Sequence, residues 1–316
     1  MDRKRNGKGK EYYYDGKLKF EGEYLNGERN GKGKEYNEYD GKLIFEGEYS
    51  KGKRNGKGKE YDKDRKIKFE GEYLNDKKWN GKSYDKINNK IYEIKNGNGY
   101  IKEYHDEDDL IFEGEYLNGE RNGKGTEYYS NGELIFEGDY LNGKRNGKGT
   151  EFKYGYQRFK GEYLIGKFWN GTFKNGSLIT NGKGYIKEND FEGEYLNGEI
   201  NGKGKEYYDN GKLKFEGKYL NGERNGKGKE YNRDNNLMFD GEYFYNHKIK
   251  GKQFNKNGEL IFEGKFLYDK QYDGKGYDEN GTIIYELING NGKIKEYNDF
   301  DGKLLFEGKY LNGKRK

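Results

Sequence analysis

The sequence predicts an all-β fold: an elongated, single-layer antiparallel β-meander of tandem hairpin repeats that forms a twisted, open ribbon. Three observations support this prediction. A short sequence motif recurs along the chain, and apolar and polar residues alternate within it. Asn-Gly pairs recur with the motif. The 316 residues include 53 glycines, 34 tyrosines and 18 phenylalanines, but no proline or cysteine. Because aliphatic residues are few, aromatic rings must supply most of the buried surface.

The repeated phrase sets the domain organisation. Phe-Glu-Gly-Glu-Tyr-Leu-Asn-Gly recurs, with small variations, every 23–25 residues over most of the chain. This spacing falls in the range of repeat arrays and implies about thirteen or fourteen units. Shortened or degenerate units lie near residues 79–104, 169–188 and 272–297. No linker-like segment separates the units, so we expect one domain over residues 1–316.

Each unit has the pattern of a β-hairpin. Leu18, Phe20, Gly22 and Tyr24 alternate with charged residues and therefore share one face of a strand. The Asn26-Gly27 pair that follows is a strong signal for a two-residue turn, because both central residues of that turn need positive φ. A second turn, such as Asp15-Gly16 or Asp301-Gly302, joins one unit to the next.

Counting back from the hairpin turn predicts the register of the two strands. In this register the Phe20 ring lies across a glycine, which offers no competing side chain. The predicted facing pairs are Leu25 with Glu28, Tyr24 with Arg29, Gly22 with Gly31, Glu21 with Lys32, and Phe20 with Gly33.

The segment Phe20–Gly33 resembles the MORN repeat, whose pattern is aromatic-x-Gly-x-aromatic-x-x-Gly-x-x-x-Gly-x-Gly. The match recurs over most of the chain, with Tyr24 where the family usually has Trp and Asn30 where His is common. The resemblance implies an elongated sheet of hairpins that serves as a scaffold or partner-binding array, often at membranes or the cytoskeleton. It also implies that phosphoinositide binding is found among relatives.

Two groups of side chains are candidate binding residues. One is a basic edge, with an arginine just past each hairpin turn and a lysine three residues later, which could meet anionic lipid headgroups. The arginines are Arg29, Arg54, Arg121, Arg145 and Arg224, and the lysines are Lys32, Lys57, Lys124, Lys148 and Lys227. Neighbouring acidic residues favour a purely solubilising role for this edge.

The other group is the aromatic face. A single-layer sheet is expected to leave part of this face exposed, which favours a protein partner or self-association. Its candidate residues are Phe20, Tyr24, Phe45, Tyr49, Phe112, Tyr116, Phe136, Tyr140, Phe215 and Tyr219. Open edge strands at the sheet ends also favour homo-oligomers.

Catalytic, cofactor and metal sites are not predicted. His105 and His247 lie far apart and cysteine is absent, so no nucleophile–base pair is evident. The segment 123–126, Gly-Lys-Gly-Thr, has the wrong residue order for a phosphate loop. The acidic segment 105–109 lacks the ligand spacing of a calcium loop, so we expect a solvated turn.

The predicted function is a non-enzymatic scaffold for protein–protein interaction or self-association. Peripheral binding to anionic phospholipid through the basic edge is the first alternative. Single-stranded RNA binding by interleaved Tyr and Lys or Arg is the second, although a net charge of only +5 makes nucleic acid a weak prediction. Residues 1–10 lack the apolar core of a signal peptide, and no apolar run approaches the roughly 20 residues of a membrane span. We therefore expect an intracellular protein, cytoplasmic or peripheral to a membrane.

Overall fold

The computed structural model describes residues 4–85, 91–105, 109–297, 304–311 and 314–316. Every regular element in these ranges is a β-strand, and the strands form an open antiparallel sheet. Strands that follow each other along the chain pair as hairpins. The predicted all-β meander of hairpin repeats is thus confirmed. The predicted turn at 301–302 lies outside the described residues.

The chain divides into two compact units, Met1–Gly166 (unit 1) and Lys167–Lys316 (unit 2). The prediction of one domain over residues 1–316 stays a prediction. The strands of unit 1 are β1 (Gly7–Tyr12), β2 (Leu18–Leu25), β3 (Glu28–Tyr36), β4 (Leu43–Ser50), β5 (Lys53–Tyr61), β6 (Ile67–Leu74), β7 (Lys77–Tyr84), β8 (Ile91–Lys95), β9 (Asn98–Tyr104), β10 (Leu110–Leu117), β11 (Glu120–Tyr128), β12 (Leu134–Leu141), β13 (Lys144–Lys153) and β14 (Tyr156–Leu164).

Unit 2 has the same alternation of hairpin turns and of turns that join one repeat to the next. Its strands are β15 (Lys167–Phe173), β16 (Leu178–Thr180), β17 (Lys183–Lys187), β18 (Phe191–Leu196), β19 (Glu199–Tyr207), β20 (Leu213–Leu220), β21 (Glu223–Tyr231), β22 (Leu237–Phe244), β23 (His247–Phe254), β24 (Leu260–Leu267), β25 (Lys270–Tyr277), β26 (Ile283–Ile288), β27 (Asn291–Tyr297), β28 (Leu304–Leu311) and β29 (Lys314–Arg315).

The hairpin turns have the predicted geometry, but the register beyond them differs from the prediction. Asn26 and Gly27 adopt φ values of 53° and 92°, as a two-residue hairpin turn requires. The pairs nearest the turn are as predicted, whereas the next three are shifted by two residues on β3. The observed pairs are Leu25 with Glu28, Tyr24 with Arg29, Gly22 with Gly33, Glu21 with Lys34, and Phe20 with Glu35.

A β-bulge in β3 causes the shift. It places residues 30–32 opposite Glu23 alone, and Gly31 at its centre adopts φ 83°. In several units, a side-chain carboxylate of the facing strand accepts a hydrogen bond from a backbone N–H of the bulge. Glu48, for example, accepts the N–H of Lys57 at 3.0 Å. The bulge is therefore a regular, hydrogen-bonded part of the repeat.

The core of each full unit is a phenylalanine ring packed against two facing glycines. A Cβ atom added at Gly33 would lie 2.4 Å from Cζ of Phe20, and one at Gly22 would lie 2.7 Å from the same atom. The ring centroid of Phe20 lies 5.7 Å from that of Tyr24 and 5.2 Å from that of Tyr49 in the next unit, both edge to face. The predicted contact of Phe20 with Gly33 is present, but it is diagonal across the strand pair.

The shortened units use aliphatic residues in the core. Ile101, Ile186 and Ile294 are buried and face Gly114, Gly193 and Gly308, where full units pair two glycines. An isoleucine side chain thus supplies buried apolar volume at positions where full units have a glycine.

We predict that Gly33→Ala lowers the free energy of unfolding by about 3 kcal/mol, because the new methyl group overlaps the Phe20 ring. Gly41→Ala is the matched control: Gly41 has positive φ but open space where its Cβ would lie, so we expect a loss of only about 1 kcal/mol. Urea denaturation followed by circular dichroism measures both. Equal losses would contradict the ring-on-glycine contact.

Candidate binding surfaces

The face of the sheet that carries the phenylalanine rings (the ring face) also carries the candidate arginines. The Arg29 guanidinium carbon lies 4.0 Å from the centroid of the Phe20 ring. The same guanidinium group binds Glu11 at 2.7 Å and Glu35 at 3.0 Å, one carboxylate on each side. Arg29 therefore covers the ring and links three strands.

The next arginine repeats this arrangement and shares a carboxylate with the first. Arg54 binds Glu35 at 2.5 Å and Glu60 at 3.0 Å, so Glu35 lies between two guanidinium groups. The result is a carboxylate–arginine ladder along the ring face, with arginine side chains that are only 14–25% exposed. Further rungs are Arg121 with Glu103 and Glu127, Arg145 with Glu127 and Glu151, and Arg224 with Glu206 and Glu230.

Tyrosine hydroxyl groups complete the ladder. Tyr24 donates to Glu11 at 2.9 Å and Tyr49 donates to Glu35 at 2.8 Å. Burial, together with the negative charge of Glu35, raises the pKa of Tyr49. The other candidate tyrosines donate to the equivalent carboxylates, namely Tyr116 to Glu103, Tyr140 to Glu127 and Tyr219 to Glu206.

The ring face is consequently closed. The candidate phenylalanines Phe20, Phe45, Phe112, Phe136 and Phe215 have no exposed surface, and the candidate tyrosines are buried except for the half-buried Tyr116. The expectation that a single-layer sheet leaves this face partly exposed is wrong, because tyrosine, arginine and glutamate side chains cover the rings. A binding role for these residues stays a prediction.

The ladder changes chemistry within unit 2. Gln253 and Gln271 occupy the carboxylate and arginine positions, and they hydrogen-bond to each other at 3.0 Å. Phe266 stands where other units have the hydroxyl-bearing tyrosine. All three members of one rung are thus neutral, so no buried charge is left without its partner.

We predict that Arg54→Ala costs about 3 kcal/mol of unfolding free energy, because it leaves Glu35 and Glu60 each with one cationic partner fewer in a mostly buried setting. The triple variant Glu35→Gln, Tyr49→Phe, Arg54→Gln copies the neutral rung of unit 2, and we expect it to lose less than half as much. Chemical denaturation of both variants tests this. A triple variant less stable than Arg54→Ala would rule out the rung as a cooperative group.

Glu206 shows how the ladder alters acid–base behaviour. Burial raises its pKa, but hydrogen bonds from Arg224 and Tyr219 and the charges of Arg224 and Lys214 outweigh burial and lower the pKa to about 2. The carboxylate therefore stays ionised far below the usual range of glutamate.

We predict that the chain loses stability in acid. A lowered folded-state pKa contributes stability that is complete above the unfolded value near 4.5 and is lost as pH falls through 2. For Glu206 this contribution is up to about 3 kcal/mol. Glu206→Gln should flatten the dependence of unfolding free energy on pH in this window, whereas Glu279→Gln, at an exposed position, should not. Identical pH profiles for wild type and Glu206→Gln would exclude the ladder as the cause.

The candidate lysines lie on the opposite face (the groove face). Lys32 precedes Gly33, which faces the Phe20 ring, and neighbouring residues of a strand point to opposite faces. Lys57, Lys124, Lys148 and Lys227 hold the same position, and all five are exposed. The prediction that arginines and lysines form one basic edge is therefore wrong, because residues three apart in a strand lie on different faces. The lysines stay candidates for binding.

An open groove crosses β1–β6 on the groove face. Its volume is about 1050 Å³, its floor is the glycine backbone, and its walls are six lysines and six glutamates. The basic residues come from the odd-numbered strands and the acidic residues from the even-numbered strands, so charge alternates from strand to strand. Lysine–glutamate distances across neighbouring strands are 3.5 Å for Lys10–Glu21 and 3.4 Å for Lys59–Glu70.

Each unit also has exposed apolar residues beside its hairpin turns, which the sequence analysis did not identify. Each residue precedes the turn and follows the tyrosine or phenylalanine of the ring face, so strand alternation places it on the groove face. The signal was present in the phrase Tyr-Leu-Asn-Gly. The residues, 38–55% exposed, are Leu25, Leu74, Leu117, Leu141, Leu164, Leu196, Leu220, Phe244 and Leu267.

The described residues offer few elements of a catalytic or metal site. His247 forms a hydrogen bond with Asp269 at a hairpin turn, 2.6 Å between Nδ1 and Oδ2. The segment 123–126 lies in β11, where Gly125 contacts the Phe112 ring. In the described ranges, no group of three or more acidic or histidine side chains is placed to hold a metal ion. Residues 106–108 of the acidic segment lie outside these ranges.

Among the described residues, the structure contains no helix long and apolar enough to cross a membrane.

The hairpins, the bulge and the buried ring on facing glycines define a β-hairpin repeat protein. Comparison with known families identifies the repeat: the MORN repeat matches residues 20–37, 45–65, 112–133, 136–153, 191–212 and 215–237, and a MORN repeat variant matches residues 5–26. The chain belongs to the MORN-repeat family, as its sequence resemblance predicted. Repeats of this family generally mediate protein or membrane interaction and are not enzymatic.

Other comparisons add little. No curated protein matches the chain at a significant level. Two similar solved structures are the crystal structures of TcdB2-TccC3-TEV and of TcdB2-TccC3 without its hypervariable C-terminal region. Each is 9% identical with a TM-score of 0.17, and they match 96% and 97% of this chain, which spans 18% of each of theirs. TM-scores this low do not establish a shared fold.

Proposed function

We propose that this protein is a non-enzymatic scaffold that binds a protein partner across its groove face. The observation that carries the proposal is the contrast between the two faces. Side chains of the protein itself close the ring face, whereas the groove face presents an open groove of about 1050 Å³ with exposed leucines at the turns. Concave surfaces with apolar margins and placed polar groups are typical of binding sites.

The charge pattern supports a protein rather than a polyanion as the partner. Lysines and glutamates occur in equal numbers along the groove, so the groove has no net formal charge to attract a phosphate backbone or an anionic bilayer. The five ladder arginines already bind carboxylates. These facts weigh against lipid binding through a basic edge and against single-stranded RNA.

A protein segment can match alternating charge, and leucines such as Leu25 and Leu74 can supply the apolar contacts. Self-association is one form of the same proposal, in which the partner is another copy. An intracellular location, cytoplasmic or peripheral to a membrane, belongs to it as well.

Site-specific photocrosslinking tests the proposal. A crosslinking residue is placed at Lys57 in the groove or at Lys51, which is exposed in the β4–β5 turn. The full chain is then irradiated in an extract of its source cell. We expect defined protein adducts from position 57 and few from position 51.

Charge reversal then tests specificity. Lys34→Glu with Lys59→Glu, on the groove walls, should reduce the position-57 adduct by about tenfold, because it replaces the positive charge on two strands. Lys51→Glu with Lys53→Glu makes the same change of charge at the turn and should have little effect. Equal adducts from positions 57 and 51, or an adduct that survives reversal in the groove, would contradict the proposal.

A further inference from the structure

The ring face has an opening at the neutral rung of unit 2. Gln253 and Gln271 line a cavity of about 630 Å³ across β23–β29, which we call the glutamine pocket. The equivalent place in unit 1 is charged. There, Glu60 and Lys78 hold the positions of the two glutamines and bind each other at 2.7 Å, beside a cavity of only about 300 Å³. The larger opening therefore coincides with the neutral rung.

The interior of the glutamine pocket is uncharged and partly apolar. Ile261 and Leu305 supply apolar surface. The Gln271 amide donates to Gln253 at 3.0 Å and accepts the hydroxyl of Tyr285 at 2.5 Å. The amide nitrogen of Gln253 donates no hydrogen bond to a described residue, so it is available to a ligand. Such an interior fits a ligand that has both an apolar group and an uncharged hydrogen-bond acceptor.

Two lysines line the pocket at positions where the other shortened units form an ion pair. Lys270 is the first residue of β25, the strand that begins a shortened unit, and Lys314 is the first residue of β29, in the full hairpin that follows. Both lysines are exposed. The equivalent ion pairs are Lys77 with Glu120 at 2.8 Å and Lys167 with Glu199 at 3.0 Å. Lysine thus replaces the glutamate at this one shortened unit.

The charge of the lining favours an anionic group. Four lining residues are basic and one, Asp269, is acidic. The Asp269 carboxylate is engaged, because it accepts the N–H of Lys248 at 2.7 Å and pairs with the His247 ring. Lys270 and Lys314 have no ion-pair partner among the residues that the structure describes. A carboxylate beside these two lysines would supply the negative charge that a glutamate supplies at the other shortened units.

We infer that the glutamine pocket binds the C-terminal end of a peptide whose last side chain is apolar. The terminal carboxylate lies beside Lys270 and Lys314, in the place of the glutamate carboxylate of the other shortened units. A backbone carbonyl of the peptide accepts the N–H of Gln253, and the last side chain packs on Ile261 and Leu305. A chain terminus carries these three groups together, whereas an inorganic anion carries only the charge.

This inference does not rest on the proposed groove function. The glutamine pocket is formed by unit 2, whereas the groove is formed by unit 1. Neither the two glutamines nor the two lysines are candidates from the sequence analysis. Crosslinking at position 57 in the groove should be the same in wild type and in the pocket variants, so failure of one proposal is distinguishable from failure of the other.

Fluorescence anisotropy with the full chain tests the inference. The probe is the tetrapeptide Ala-Ala-Ala-Leu, labelled at its N terminus, with either a free C-terminal carboxylate or a C-terminal amide. We expect saturable binding of the free acid and about tenfold weaker binding of the amide, because the amide lacks the charge that faces Lys270 and Lys314. Ala-Ala-Ala-Ser should also bind more weakly than the leucine peptide, since its last side chain buries less apolar surface.

Lys314→Glu is the test variant. It recreates the lysine–glutamate pair of the other shortened units, so it should fold as stably as wild type and bind the free acid about tenfold more weakly. Lys144→Glu makes the same change at the first residue of β13 in unit 1 and should leave binding unchanged. Gln253→Glu with Gln271→Lys copies the charged pair of unit 1 and should weaken binding, because the amide donor is lost.

Three results would each overturn the inference: no binding of the free acid by wild type, equal binding of the acid and the amide, or full binding by Lys314→Glu. An equal loss of binding in Lys144→Glu would overturn it as well, because the effect would then come from net charge and not from the pocket.

Discussion

Close packing of a phenylalanine ring against two facing glycines is the constraint on which the rest of this structure depends. Gly22 and Gly33 provide a surface without side chains, and the Phe20 ring fills it so closely that either Cβ would overlap the ring. Because one ring serves two strands, a sheet one layer thick acquires a core of its own. The ring then needs a cover, which the neighbouring tyrosine and arginine supply.

The cover in turn couples the repeats. Several ladder glutamates lie between two basic side chains, as Glu35 lies between Arg29 and Arg54 and Glu60 lies between Arg54 and Lys78, so adjacent units share mostly buried charge. Such nearest-neighbour coupling is how repeat arrays gain stability. It also leaves the ring face closed along the ladder, so large partners are left with the opposite face and the hairpin turns. The proposed scaffolding by the groove follows from this division.

Much of the fold could be predicted from the sequence, because hairpin turns and alternation are local signals. Asn26-Gly27 and the period of two were sufficient for the hairpin. The same signals were not sufficient to predict the register. Gly31 forms a bulge with positive φ, and nothing in the sequence pattern distinguishes it from the glycines that lie under the rings. The alternation of side chains along a strand could have shown that the arginines and the lysines lie on different faces of the sheet. Closure of the ring face could not have been predicted, because the ladder joins residues about 18 positions apart in different strands.

Hydroxyl-radical footprinting with mass spectrometry tests the central claim most directly, because it reports the exposure of individual aromatic residues in solution. The account predicts that Phe45 and Tyr49, on the closed ring face, are modified far more slowly than Tyr154 and Tyr268, which are 76% and 78% exposed. Modification of Phe45 and Tyr49 at the rate of those exposed tyrosines, in the folded chain, would contradict the closed ring face and the division of surfaces that follows from it.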